Sequence, residues 1–179
     1  MGYVYFVRHG QSNWNVENKI CGATDIPLTE LGHQQAIETG KQFIEQGIQA
    51  DEILYSPLSR AAETARHISE MTGIPAREEE RLREQNFGKY EGTARDGAEF
   101  KEAKKQFVCR YEGGESMLHL AQRIYNLLDE IKSETSEKTY ILVAHNGIAR
   151  VIQSYFHEMT NEEYAAFGVP NCTIMRYEF

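Results

Sequence analysis

Two histidines and two arginines follow apolar segments that have the character of β-strands. The stretch VYFVRHGQSNWN (4–15) places Arg8 and His9 at the end of one segment, and YILVAHNG (140–147) places His145 at the end of another. Arg60 follows a third segment, EILYSPLSR (52–60). Arginines hold phosphoryl groups through bidentate hydrogen bonds. A neutral imidazole can attack phosphorus, since its reference pKa is about 6.5. The combination indicates phosphoryl transfer through a phosphohistidine.

Such a reaction also needs a proton donor for the leaving alkoxide. A carboxylic acid beside a dianionic phosphate retains its proton, because the two negative charges would repel each other. Glu84, in RLREQNFGKYEG (81–92), is our candidate. The residues alone do not distinguish it from the neighbouring carboxylates Glu78, Glu79 and Glu80.

Strand-like and helix-like segments alternate along the chain. The apolar patterns predict strands at 3–7, 51–57, 139–145 and 172–179, and helices at 29–46, 58–73, 115–132 and 147–159. This order predicts an α/β fold, with three α/β/α layers and a mostly parallel central sheet. Ligands bind beyond the carboxyl ends of such strands, where the histidines and arginines lie.

We expect one domain over 1–179, with a short lid-like insertion at about 93–114. The insertion has the pattern of one short helix, with Phe100, Ala103 and Phe107 on one face. Cationic side chains in the lid would be available for a second anionic group on the substrate, and they are Arg95, Lys101, Lys105 and Arg110.

The net charge of −8 argues against a nucleic-acid partner, which needs a positive surface. No apolar run reaches the length of a membrane span, and the N-terminus has no signal-peptide pattern, so we expect no membrane association and a cytoplasmic location. Cys21, Cys109 and Cys172 fit neither a disulfide framework nor a zinc site, and we expect free thiols. The oligomeric state is open, with a homodimer as one option.

Other phosphatase chemistries lack their residues. Six residues after each cysteine, where a cysteine-dependent phosphatase has arginine, stand Pro27, Glu115 and Glu178. No two aspartates are separated by a single residue, as an aspartate nucleophile would require. Walker, dinucleotide-binding and His-Glu-x-x-His motifs are also missing. We therefore predict chemistry without a metal ion or cofactor.

The motifs VRHGQSNWN, DIPLTELG, YSPLSRAAETA, LREQNFGKYEG, GGES and VAHNG follow one another from Val4 to about Ala149. In type and order they resemble those of the histidine phosphatase superfamily, the phosphoglycerate mutase-like proteins. The resemblance implies that His9 is the nucleophile and Glu84 the general acid. It further implies a phosphate pocket of Arg8, Arg60 and His145, a phosphate contact from Asn15, and a substrate side shaped by Ser12 and Gly22.

The resemblance favours the phosphatases over the mutases of this family. Cofactor-dependent mutases resemble one another in a long insertion before the GGES motif, whereas only 30 residues separate Glu84 from Glu115 here. Gln11, Tyr90 and Asn146 differ from the residues that mutases or many other members of the family have at these positions, but none of these differences removes a catalytic group. We expect a phosphomonoesterase that acts on a small phosphorylated metabolite. The alternatives are a cofactor-dependent phosphoglycerate mutase and a non-catalytic module that binds a phosphorylated ligand.

Overall fold

A computed structural model describes residues 2–135 and 137–179. In the described residues, five strands form the central sheet in the order β3-β2-β4-β1-β5. Strand β5 runs antiparallel to β1, and the other neighbouring strands pair in parallel. The predicted α/β fold with a mostly parallel sheet is thus confirmed. The strands are β1 (Tyr3–Arg8), β2 (Glu52–Tyr55), β3 (Ala76–Glu78), β4 (Tyr140–Ala144) and β5 (Ile174–Glu178).

Helices cover both faces of this sheet. Helices α2 and α3 pack on one face through Phe43, Ala61 and Ile68, and α5 and α6 pack on the other through Leu120, Ile148 and further apolar residues. The architecture therefore has three layers. The helices are α1 (Asn13–Val16), α2 (Glu30–Glu45), α3 (Ser59–Thr72), α4 (Ala98–Ala103), α5 (Met117–Glu134), α6 (Asn146–Phe156) and α7 (Asn161–Ala166).

Strand β4 lies at the centre of the sheet, and all five of its residues are buried. This burial explains its continuous apolar sequence, YILVA, because a strand covered on both faces shows no polar alternation. Its register aligns the ends of three strands. The His9 amide donates to the carbonyl of Ala144 at 2.9 Å, and the Ser56 amide donates to that of Val143 at 3.0 Å. The residues after β1, β2 and β4 are thereby brought side by side.

Among the strands and α-helices of the described residues, β3, α1 and α7 were not predicted, and neither were two single-turn 3-10 helices at Glu80–Leu82 and Gly88–Tyr90. Strand β3 consists of three exposed residues at the sheet edge and has no apolar alternation that could reveal it. Helix α4, in the predicted insertion, ends at Ala103, which places Phe107 outside it. Phe107 packs against Tyr164 of α7, with ring centroids 5.4 Å apart, so the prediction that it shares a helix face with Phe100 is wrong.

No helix within the described residues has both the length and the apolar character required to span a bilayer.

Candidate active site

His9 lies at the end of β1 and is 4% exposed. Its Nδ1 is 2.7 Å from the carbonyl oxygen of Gly10. Because a carbonyl only accepts, this contact assigns the proton to Nδ1 and leaves a lone pair on Nε2. Burial, followed by the positive charges of Arg60 and Arg8, lowers the pKa of His9 well below its usual value. The imidazole is therefore neutral at neutral pH, as a nucleophile must be.

His145 follows the adjacent strand β4 and is fully buried, with its ring centroid 5.2 Å from that of His9. Its Nε2 is 2.7 Å from the hydroxyl oxygen of Ser56. That hydroxyl oxygen also accepts a hydrogen bond from the amide of Leu58 at 3.3 Å, so its own proton is free to donate to Nε2. The proton of the neutral His145 ring then resides on Nδ1, which has no partner within the described residues. His145 is not among the residues that line the cavity, but its ring lies beside that of His9, which does line it.

Arg8 and Arg60 differ in how they are held. Arg8 lines the cavity beside His9 and donates to the carbonyl of Val169. Burial, then the charge of Arg95, lowers the pKa of Arg8 to about 10, so it stays cationic at neutral pH. Arg60 is fully buried and donates to the carbonyls of Thr24 at 2.9 Å and Gly22 at 2.7 Å. Arg60 does not line the cavity, although its charge acts on both histidines.

Glu84 is 4% exposed and lines the same cavity. Its two carboxyl oxygens accept from the amides of Gln85 at 2.8 Å and Gly147 at 2.9 Å. Burial is the largest influence on this group and raises its pKa, whereas the two amides lower it. A methyl group on Gly147 would stand 2.3 Å from Oε1 of Glu84, so the carboxyl can keep this position only while residue 147 is glycine. Of the four carboxylates considered from the sequence, Glu84 is the one that lines the cavity.

The cavity measures about 90 Å³ and opens at the carboxyl ends of β1 and β4. Four cationic side chains line it, whereas Glu84 is the only carboxylate among the described lining residues. The cations are Arg8, Arg95, Lys104 and Arg150. Across residues 2–135 and 137–179, none of the four forms a salt bridge with a carboxylate. The pocket is therefore strongly positive in a chain of net charge −8.

Each of these cations donates to a main-chain carbonyl. Arg95 donates to Lys19 at 3.1 Å, Lys104 to Ala165 at 3.1 Å and Arg150 to Phe167 at 2.9 Å. Burial, then the charges of Arg150 and Arg95, lowers the pKa of Lys104 to about 8. A carbonyl orients a cation without neutralising it. The positive charge thus remains available to an anionic ligand.

Asn15 lines the cavity, but Ser12 and Gly22 do not. Oδ1 of Asn15 accepts from the amide of Ser12 at 2.9 Å and from the side-chain amide of Asn171 at 3.3 Å, which leaves the Asn15 amide group free to donate. The Ser12 side chain is buried without a partner in the described part of the chain. Gly22 supports Arg60 through its carbonyl. A methyl group there would stand 2.2 Å from the Gln85 carbonyl, so Ser12 and Gly22 have a structural place behind the pocket wall.

Only one of the four predicted lid cations lines the cavity. Arg95 does so, whereas Lys101, Lys105 and Arg110 are exposed outside it, and Lys105 pairs with Glu102 at 2.7 Å. Sequence reasoning missed Lys104, Arg150 and the hydrogen bond from Ser56. Arg150 lies four residues after Asn146, which is the spacing of one helix face, and both line the cavity.

Cys21 also lines the cavity. Burial raises the pKa of its thiol to about 11, so the reactive thiolate is scarce at neutral pH.

The sequence model of the histidine phosphatase superfamily (branch 1) matches residues 4–179. The chain belongs to this superfamily. A 2,3-bisphosphoglycerate-dependent phosphoglycerate mutase of Chelativorans sp. (strain BNC1) is 32% identical, with 94% of this chain and 90% of the relative aligned. A probable phosphoglycerate mutase of Yersinia pestis (strain Pestoides F) is also 32% identical, with coverages of 98% and 84%.

Among solved structures, the native mycobacterial glucosyl-3-phosphoglycerate phosphatase is similar, with a TM-score of 0.83 and 27% identity. The match covers 98% of this chain and 89% of that protein. The relatives thus include both mutases and a phosphatase. Family membership supports a phosphatase- or mutase-type enzyme and leaves the choice between them to the site itself.

Proposed function

We propose that the protein is a metal-independent phosphomonoesterase that forms a phosphohistidine on His9 and uses Glu84 as general acid. The observation that carries this proposal is the state of His9. Its Nδ1 proton is bonded to Gly10, its Nε2 lone pair is free, and its imidazole is neutral in a pocket rich in positive charge. A raised pKa on the neighbouring Glu84 supports the acid role.

In the first step, Nε2 of His9 forms a bond to phosphorus while the bond from phosphorus to the ester oxygen breaks. Glu84 gives its proton to that oxygen, so the product leaves as an alcohol. Arg8, Arg60 and the Nδ1 proton of His145 stabilise the charge on the other phosphoryl oxygens. In the second step, Glu84 takes a proton from water, the water oxygen bonds to phosphorus, and the phosphorus–nitrogen bond breaks to restore neutral His9.

The charge of the pocket supports a substrate with a second anionic group. A phosphoryl dianion needs two positive charges, and Arg8 with the buried Arg60 can supply them. Arg95, Lys104 and Arg150 then remain without a counter-charge. A cavity of about 90 Å³ is smaller than the roughly 300–1,000 Å³ of drug-sized pockets. We therefore propose a compact phosphomonoester that carries a carboxylate or a second phosphate.

Phosphoglycerate mutase is the second candidate, because two relatives with that name are 32% identical over most of this chain. A mutase transfers the phosphoryl group from histidine to a second substrate molecule and must keep water out. Only 30 residues connect Glu84 to Glu115, and α4, the helix of this connection, has six residues. This short cover favours discharge to water.

Phosphate release from a panel of phosphomonoesters, measured with EDTA present, tests the proposed activity. Wild-type protein should release phosphate, and His9→Ala should not. Acid quench during turnover should trap phosphohistidine in the wild type alone. Conversion of 3-phosphoglycerate to 2-phosphoglycerate, faster than phosphate release and dependent on 2,3-bisphosphoglycerate, would identify a mutase. Tight phosphate binding without either reaction would identify a non-catalytic module.

Matched substrates test the second anionic group, for example 3-phosphoglycerate against glycerol 3-phosphate, which lacks the carboxylate. Lys104→Ala and Arg150→Ala should each lower kcat/KM for 3-phosphoglycerate by about 10- to 150-fold, since a hydrogen bond to a charged group contributes about 1.5–3 kcal/mol. The loss for glycerol 3-phosphate should be much smaller. Lys101→Ala is the control, because this exposed lysine lies one turn from Lys104 and outside the cavity. Equal losses for both substrates would contradict the proposal.

A further inference from the structure

A second cluster of chemically active side chains lies between helices α2 and α3, outside the cavity. His33 belongs to α2, and Glu63 and His67 belong to successive turns of α3. One ligand atom from each of the three lies within 4.8 Å of the others. Nδ1 of His33 and Nε2 of His67 are 2.9 Å apart. The cluster therefore converges from two helices on one point.

Two imidazoles and a carboxylate are a common ligand set for zinc. Two nitrogens bound to one tetrahedral zinc at about 2.0–2.1 Å are separated by about 3.3 Å, so His33 and His67 need to move apart by only about 0.4 Å. The spacing of Glu63 and His67, four residues apart on one helix, places both on the same face. Small side-chain movements would therefore bring the three ligands to the geometry of a zinc site, without any movement of the backbone.

The other ring nitrogen of His67 faces a second carboxylate. Nδ1 of His67 is 4.0 Å from Oε2 of Glu70, one turn further along α3. Histidines that bind metals usually direct their second ring nitrogen to a carboxylate, which fixes the tautomer and strengthens the ligand. His67 has the same order of groups, with Nε2 towards His33 and Nδ1 towards Glu70, but at 4.0 Å the Glu70 carboxylate lies beyond hydrogen-bond distance and would have to move closer when the ion binds.

We propose that His33, Glu63 and His67 form a binding site for a divalent transition-metal ion of the zinc class, with water as the fourth ligand. None of the three lines the active-site cavity, so the ion takes no part in the phosphoryl chemistry. It links α2 to α3. Helix α3 also carries Thr64, whose hydroxyl accepts from the amide of Gly10 at 3.0 Å, and the ion therefore braces the helix that supports the loop after β1.

Arg66 competes with the ion for Glu63 and also approaches the proposed ligand nitrogen of His67, because one of its terminal nitrogens lies 3.4 Å from Nε2. Its guanidinium contacts Glu63 at 2.7 Å and Oε1 of Glu70 at 2.7 Å. Glu63 can leave Arg66 to bind the ion, because Glu70 continues to pair with the guanidinium. The two imidazoles should accordingly contribute more to affinity than Glu63 does.

Isothermal titration of the EDTA-stripped full-length protein with Zn²⁺ tests the proposal. Wild type should bind one zinc ion. His67→Ala and His33→Gln should each bind it with an affinity at least 100-fold lower. Glu63→Gln should bind about 10-fold more weakly, a loss of about 1.4 kcal/mol, which is smaller than that of either histidine variant because Arg66 already pairs with this carboxylate. His119→Ala is the matched control, because His119 is exposed and outside the cluster.

Two further readouts identify the ligands. Bound Co²⁺ should show visible bands of nitrogen and oxygen ligands without the near-ultraviolet band of a thiolate, which excludes the three free cysteines. Zinc should raise the Tm of wild type and of His119→Ala by at least about 2 °C, and leave His67→Ala unchanged. Absence of zinc binding by wild type, or equal binding by wild type, His33→Gln and His67→Ala, would overturn the proposal.

Discussion

Ser56 should control the protonation pattern of His145, and its loss should impair catalysis although Ser56 itself does not line the cavity. Its hydroxyl lies 2.7 Å from Nε2 of His145 in a fully buried position. Ser56→Ala removes the donor to Nε2, so the ring can place its proton on Nε2 instead of Nδ1. A buried polar atom without a partner costs about 1–3 kcal/mol. Since about 1.4 kcal/mol corresponds to a factor of ten, kcat/KM should fall by about 5- to 150-fold.

The assay is kcat/KM for a good substrate, together with inhibition by inorganic phosphate. Both should weaken in Ser56→Ala, because the Nδ1 proton of His145 no longer meets the phosphoryl oxygen in most molecules. Ser154→Ala is the matched control. The Ser154 hydroxyl lies 3.1 Å from that of Tyr125, and neither residue lines the cavity. A Ser56→Ala protein with native circular dichroism, unchanged kcat/KM and unchanged phosphate inhibition would refute this account of His145.

Three further predictions concern the proposed acid. Glu84→Gln should lower kcat/KM for alkyl phosphates by about 10²–10⁴-fold. The loss for p-nitrophenyl phosphate should be less than about 10-fold, because its leaving group needs little protonation. Equal losses for the two substrates would show that Glu84 is not the general acid. Because burial lowers the pKa of His9 and raises that of Glu84, activity should fall on the acid side, below pH 6.5, as His9 gains a proton, and on the alkaline side as Glu84 loses one. The alkaline limb should disappear in Glu84→Gln, and its survival there would assign it to another group. Gly147→Ala should displace Glu84 and reproduce the same selective loss on alkyl phosphates, whereas wild-type activity on them would show that the carboxyl tolerates the methyl group.

The sequence predicted the parts of the site that depend on strand ends. His9 and His145 each directly follow an apolar strand. In a parallel sheet the carboxyl ends of neighbouring strands lie at the same edge, so the two histidines can be expected close together. The register of β1 with β4 produces that juxtaposition through main-chain hydrogen bonds, with Arg8 opposite Ala144. These positions depend on backbone geometry, which follows from the order of strands and helices.

Residues whose placement depends on helix orientation could not be predicted in the same way. Lys101 and Lys104 are both cationic, and only the rotation of α4 decides which one faces the cavity. That rotation is set by Phe100, which packs against Phe87 and Tyr90 with ring centroids 5.5 and 5.3 Å away. These aromatic partners lie 10 to 13 positions earlier in the chain, and no local pattern connects them to the lid. The sequence alone therefore indicated a cationic insertion but named Lys101 and Lys105, which are exposed outside the cavity, and did not single out Lys104, which lines it.

The site combines two parts that differ in how they are built. The phosphoryl part uses residues at the ends of β1 and β4 and is tied to the register of the sheet, so any change there would disturb the core. The cations beyond it come from Arg95 and Lys104 in the insertion and from Arg150 on α6, and each is held by one main-chain carbonyl. Such side chains can be exchanged without moving a strand. If the proposed mechanism holds, substrate preference can change while the phosphohistidine step is retained, and this would account for the presence of both mutases and a phosphatase among the relatives of this chain.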